Sequence, residues 1–94
     1  MLTLDTLAPN LTRVIMGSTA VRGARVVVWF SYETPVAVQH RPVGQLLVSA
    51  NEWGSVTGKH LSMIDGGDHA ARVARVPHAT IMAEVDRLTP APAR

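Results

Sequence analysis

Cysteine is absent from this 94-residue chain, which excludes disulfides, thiolate zinc sites and thiol nucleophiles together. Aromatic residues are scarce: Trp29, Phe30, Tyr32 and Trp53 are all there are, so the core has to be built from aliphatic side chains. Charged residues make up 17% of the chain, below the usual ~25%. Lys59 is the single lysine. No apolar run approaches the ~18 residues that a membrane-spanning helix needs. The first residues also lack the basic start and apolar stretch of a secretion signal. The expectation is a cytoplasmic protein with no membrane partner.

Aliphatic residues are plentiful. Val, Ile, Leu and Phe together account for 25 of the 94 residues, above the one-fifth below which disorder is expected. The length fits one small domain. The net charge is only +2 although the pI is 9.9, because arginine stays charged to very high pH and a small excess drags the pI upward. Long-range attraction to phosphate follows net charge, and +2 is weak. A weakly charged surface favours a protein partner or self-association over nucleic acid.

Hydrophobic periodicity divides the chain in two. Residues 1–9 read as an arm or edge strand. Asn10 to Ser18 and Ala24 to Tyr32 read as strands, the second apolar on both faces and therefore central in its sheet. Glu33-Thr34-Pro35 turns the chain into Val36 to His40, and Gln45 to Ser49 gives a fourth strand. After residue 56 the period changes. Thr57 reads as the N-cap of a short helix closed by Gly66-Gly67, with Val56 and Leu61 as a hydrophobic staple. Arg72 to Val76 reads as one more strand. Pro77 or His78 opens a last helix with the stripe Ile81, Met82, Val85 and Leu88, and Thr89-Pro90 stops it. The expected fold is α+β: a small antiparallel sheet of four to five strands with two short helices packed on one face, in the order ββββ–α–β–α. Residues 10–88 form the single globular domain and 89–94 a flexible tail.

Motifs for chemistry are few. Gly54-Ser55-Val56-Thr57-Gly58-Lys59-His60 resembles a phosphate loop but has three residues between its glycines instead of four, and a histidine where Ser or Thr would bind magnesium. His60, Asp65, Asp68 and His69 are near one another in sequence, yet no His-x-His or His-x-x-x-His spacing presents two imidazoles together. Ser31, Ser49, Ser55 and Ser62 lie outside any nucleophile elbow. The expectation is therefore a protein that is not an enzyme, with no catalytic residues, cofactor or metal. Partner contact is assigned to Trp53 and Trp29, tryptophan being a favoured interface anchor, together with Lys59 and His60. The alternative is a small DNA- or RNA-binding module using Arg22, Arg25, Arg72 and Arg75, with aromatics available to stack.

Two segments carry a resemblance. Ser31-Tyr32-Glu33-Thr34-Pro35-Val36-Ala37-Val38, followed by Trp53-Gly54-Ser55-Val56-Thr57-Gly58-Lys59-His60-Leu61, resembles a family of short uncharacterised proteins of phages, plasmids and bacteria. Its members share a Ser-Tyr-x-Thr-Pro-Val-Ala turn and a later Trp…Thr…His-Leu segment. Here Gly54 intervenes between the tryptophan and Ser55, and Val56 stands where a polar residue is common. The resemblance implies no catalytic residues. It implies a phage or other mobile-element origin, and the arginine-rich, lysine-poor composition fits an actinobacterial host. The expected function is that of a phage-type accessory protein that binds a host bacterial protein and modulates its activity, with homo-oligomerisation through sheet edges also open to it.

Overall fold

The computed structural model describes residues 3–17, 23–41 and 44–88. Five strands, β1 (Thr3–Ala8), β2 (Leu11–Gly17), β3 (Arg25–Ser31), β4 (Thr34–Arg41) and β5 (Leu47–Val48), are followed by three helices, α1 (Ser55–Asp65), α2 (His69–Ala74) and α3 (His78–Leu88). The strands pair antiparallel with their sequence neighbours, so the sheet order is β1-β2-β3-β4-β5. This is an α+β meander with β3 at its centre, where a strand apolar on both faces belongs.

Those two faces decide where the helices go. Val27 and Trp29 point to one side, where Val36, Ala37, Val48 and Leu61 of α1 complete a buried cluster. Val26 and Val28 point to the other, against Val38 and against Ile81 and Leu88 of α3. The helices therefore cover opposite faces of the sheet, not one face as the sequence suggested. The reason lies in β3: Val26, Val27 and Val28 are each fully buried, and consecutive strand residues can all be buried only if both faces are covered. Burying one such side chain contributes ~1.5–3 kcal/mol.

Register is adjusted once in the middle of the sheet. Trp29 pairs with Ala37 but Phe30 pairs with Pro35, so Val36 is an extra residue in β4. A bulge tolerates a proline that cannot donate to the ladder. It also brings Val36 and Ala37 together into the cluster beneath α1.

The second half departs from expectation in two elements. Residues 69–74 form α2, where the alternation of Arg72 to Val76 suggests a strand; Val76 makes only an isolated parallel bridge to Ser49. Asp68 starts this helix by accepting the Ala71 N–H at 2.8 Å, a cap that favours helix over strand. In α1 the N-cap is Gly54, with no side-chain cap, and Thr57 lies inside the first turn, buried. Val56 is exposed, so no staple forms. Gly66 closes α1 in the left-handed conformation (φ 87°), with its N–H donating to the Ser62 carbonyl at 2.8 Å. The tail 89–94 lies outside the described residues.

Candidate functional site

One end of the sheet gathers two tight turns and the start of α1. At the β1–β2 turn Asn10 has φ 63°, and at the β3–β4 turn Tyr32 has φ 56°. Asparagine visits this left-handed region routinely, whereas a bulky aromatic residue there costs ~1–2 kcal/mol. The two turns are joined by Tyr32 N–H donating to the Asn10 carbonyl at 2.7 Å.

His60 of α1 reaches down to both turns. Its Nε2 lies 3.2 Å from the Pro9 carbonyl and its Nδ1 lies 2.7 Å from Ser31 Oγ. A carbonyl oxygen can only accept, so Nε2 carries the proton. With the imidazole neutral, Nδ1 is then an acceptor and Ser31 must donate to it. Ser31 Oγ is also 3.1 Å from Thr57 Oγ1. Ser31 has one proton and it is already committed, so Thr57 is the donor in that second bond. The chain of donation runs Thr57 to Ser31 to His60, and His60 donates on to Pro9. All three side chains are buried, and a buried network of this kind is favourable because every proton has an acceptor.

Above Ser31 and Thr57 is a pocket of about 80 Å³, lined also by Tyr32, Thr34, Val36 and Trp53. Tyr32 is 54% exposed and Trp53 43% exposed, so the two aromatic side chains form its rim. The Trp53 loop is held from three sides. Asn51 Oδ1 accepts the Trp53 N–H at 3.1 Å, and Asn51 Nδ2 donates to the Gly54 carbonyl at 3.1 Å. The His78 ring meets the Trp53 ring edge-on, with centroids 4.9 Å apart. His78 itself is fixed by Nε2–H donating to the Pro35 carbonyl at 2.9 Å and by its backbone N–H donating to Glu52 Oε2 at 2.9 Å. Gly58 belongs to the same arrangement: a Cβ there would lie 2.9 Å from Asn51 Nδ2, so a side chain would push on the amide that holds the loop.

Ser31 and His60 stand to each other as nucleophile and base do in acyl-transfer enzymes. The network ties α1 to β3 and to the β1–β2 turn beneath the pocket.

A family model matches residues 3–81. The chain belongs to DUF8033, a family of unknown function. No curated protein and no solved structure matches it. The span shared with DUF8033 takes in the whole sheet, α1, α2 and the pocket with its supports, and it ends four residues into α3.

The structure distributes the sequence-assigned residues unequally. Trp53 is at the pocket rim. Trp29 is buried beneath α1 at 6% exposure, so it offers no surface; its place in β3 opposite Ala37 turns it inward. His60 is buried and supports the pocket from below. Lys59 is exposed and belongs to a different cavity, a broad cleft of about 740 Å³ between α1 and α2 that also includes Ser55, Ser62, Arg72 and Arg75. Arg25 is exposed at the opposite end of β3, paired with Arg41. Arg22 lies outside the described residues. Because residues 69–74 are helical, Arg72 and Arg75 border the same cleft, whereas on a strand residues three apart face opposite sides. Arg75 is held by Asp65 in a two-pronged ion pair at 2.9 and 3.1 Å. Burial alone would raise the Asp65 carboxyl, but the Arg75 guanidinium and the Gly67 N–H outweigh it and hold it below the usual carboxylate range.

His60, Asp65, Asp68 and His69 do not come together. His60 is committed to Ser31 and Pro9, Asp65 to Arg75, and Asp68 to the cap of α2. Among the described residues no group of three or more His, Asp or Glu side chains is placed to hold a metal ion, and no helix is long and apolar enough to cross a membrane. Sequence reasoning missed Ser31 and Thr57 as members of one site. The signal was available: both sit in the two resembling segments, with an aromatic residue beside Ser31 and another four residues before Thr57.

Proposed function

We propose that this DUF8033 protein is a non-enzymatic accessory protein of phage type, which binds a host bacterial protein in the cytoplasm and modulates its activity through the Tyr32–Trp53 pocket. One observation carries the reading. Residues 31–36 and 53–57, separated in sequence, converge on a single small pocket whose rim is two exposed aromatic side chains. Exposed tryptophan and tyrosine over a preformed cavity are what anchor sites at protein interfaces present. The phage and actinobacterial elements rest on the resemblance and on the arginine-rich composition.

Affinity capture from an actinobacterial lysate, with nuclease and moderate salt, tests this. A discrete protein that survives the treatment, and that Trp53→Ala weakens by ~2 kcal/mol or more with the fold intact, is the expected outcome. Equal capture by a folded Trp53→Ala protein removes the pocket from the contact.

The second reading, a DNA- or RNA-binding module, is favoured by the cleft where Lys59 and Arg72 are both exposed. It requires capture to vanish on nuclease treatment and affinity to fall steeply with salt. Self-association through a sheet edge is compatible with either reading.

A further inference from the structure

The direction of the hydrogen bonds beneath the pocket says what it can hold. With the His60 imidazole neutral and its Nε2–H on the Pro9 carbonyl, both hydroxyl protons of the floor are spent inward, Thr57 to Ser31 and Ser31 to His60. Ser31 and Thr57 are therefore left with oxygen lone pairs and no hydrogen to offer. A group entering the pocket meets acceptors at the bottom and must bring its own donors. A carboxylate or a carbonyl would leave both oxygens facing another acceptor.

The walls select further. Tyr32 and Trp53 present aromatic surface, which attracts a cation. Among the described residues no cationic side chain lines the pocket. Each wall is next to a carboxylate in the chain, Glu33 after Tyr32 and Glu52 before Trp53, and both of these residues are exposed. Lys59, two residues beyond Thr57, lies instead along the α1–α2 cleft. Size is the last constraint: about 80 Å³ suits a small head group on a slim stem, far short of the ~300 Å³ or more of a cavity for a drug-sized ligand.

We infer that the pocket receives the ammonium end of a lysine side chain on the partner protein, with Ser31 and Thr57 accepting its N–H donors and Tyr32 and Trp53 flanking the charge. This rests on the reading of the pocket as the partner-binding site and names the chemistry it recognises there.

The test is a titration of the isotope-labelled protein at pH 8, above the ordinary imidazole range. Three blocked amino acids serve as probes: Nα-acetyl-lysine methylamide, its norleucine counterpart, which lacks the ammonium, and the glutamate counterpart. Expected are saturable shifts at the Trp53 indole N–H and at the Tyr32 and Thr57 amides with the lysine probe, at ~10-fold or more higher affinity than norleucine, and none with glutamate. Trp53→Ala abolishes the response. Thr57→Val weakens it and Thr57→Ser restores it, which separates the acceptor role from a merely structural one. Norleucine binding as well as lysine, a preference for glutamate, or silence with all three probes at tens of millimolar overturns the inference. The first two of those outcomes leave the pocket as a binding site of different chemistry. A captured partner indifferent to Trp53→Ala instead overturns the assignment of the pocket to partner binding.

Discussion

Tyr32 concentrates the conflict between fold and function into one residue. Its left-handed backbone favours glycine or asparagine, and Asn10 in the neighbouring turn obeys that preference. Tyr32 does not, although its side chain is more than half exposed and lies outside both buried clusters. Strain of this kind is found where a side chain serves a site. Tyr32→Gly relieves the backbone, offset by the greater freedom of glycine in the unfolded chain, so thermal stability should stay within ~1 kcal/mol of wild type. Partner binding should nevertheless be lost. A variant that unfolds readily would instead make Tyr32 a structural residue. The identities of Ser31, Thr57 and His60 were visible in the sequence, but their mutual hydrogen bonds were not. They are 26 and 29 residues apart in the chain, and only closure of the fold makes them neighbours.

Among the elements, α1 and α2 are tied by the Asp65–Arg75 ion pair, whose side chains are 8% and 10% exposed. Removing one partner from a pair this buried costs ~3 kcal/mol, because the other charge is left unpaired. The carboxyl is held below its ordinary value in the folded protein, so its contribution is present above the unfolded pKa of ~3.9 and is lost as the pH falls through the folded value. Urea unfolding of wild type and Asp65→Asn should therefore differ most near neutral pH and converge as the pH falls from ~5 downward. A constant difference across that range would show that the carboxylate charge contributes nothing. The sequence misread α2 as a strand because Arg72 to Val76 alternates polar and apolar over too few residues to fix a period. The deciding feature is the Asp68 cap, whose carboxylate accepts the Ala71 N–H at 2.8 Å and so favours a helix start.

For the molecule as a whole, the two sheet edges are unlike. The β5 edge is two residues long, and Ser49 just beyond it is bridged to Val76. β1 has six residues, pairs among the described residues only with β2, and carries Leu4 and Leu7 at 64% and 40% exposure. A strand edge with open backbone groups and exposed leucine is a template for pairing with a second copy. Light scattering across a concentration series should detect a dimer that Leu4→Lys disperses. A wild-type monomer at every concentration would remove self-association from the expected behaviour.

The sequence by itself determined the strand meander, the central place of β3, the closing of α1 at Gly66 and the stripe of α3, because these depend on periodicity and on turn residues that act locally. It also marked Trp53 and the two segments that build the pocket. Only the tertiary structure decided that the helices cover opposite faces, that Trp29 is core while Trp53 is rim, and that Arg72 and Arg75 share a cleft. It alone set the direction of the Thr57–Ser31–His60 hydrogen bonds, since a hydroxyl between two partners takes its role from where the next acceptor lies, and here that acceptor is a carbonyl from the far end of the chain.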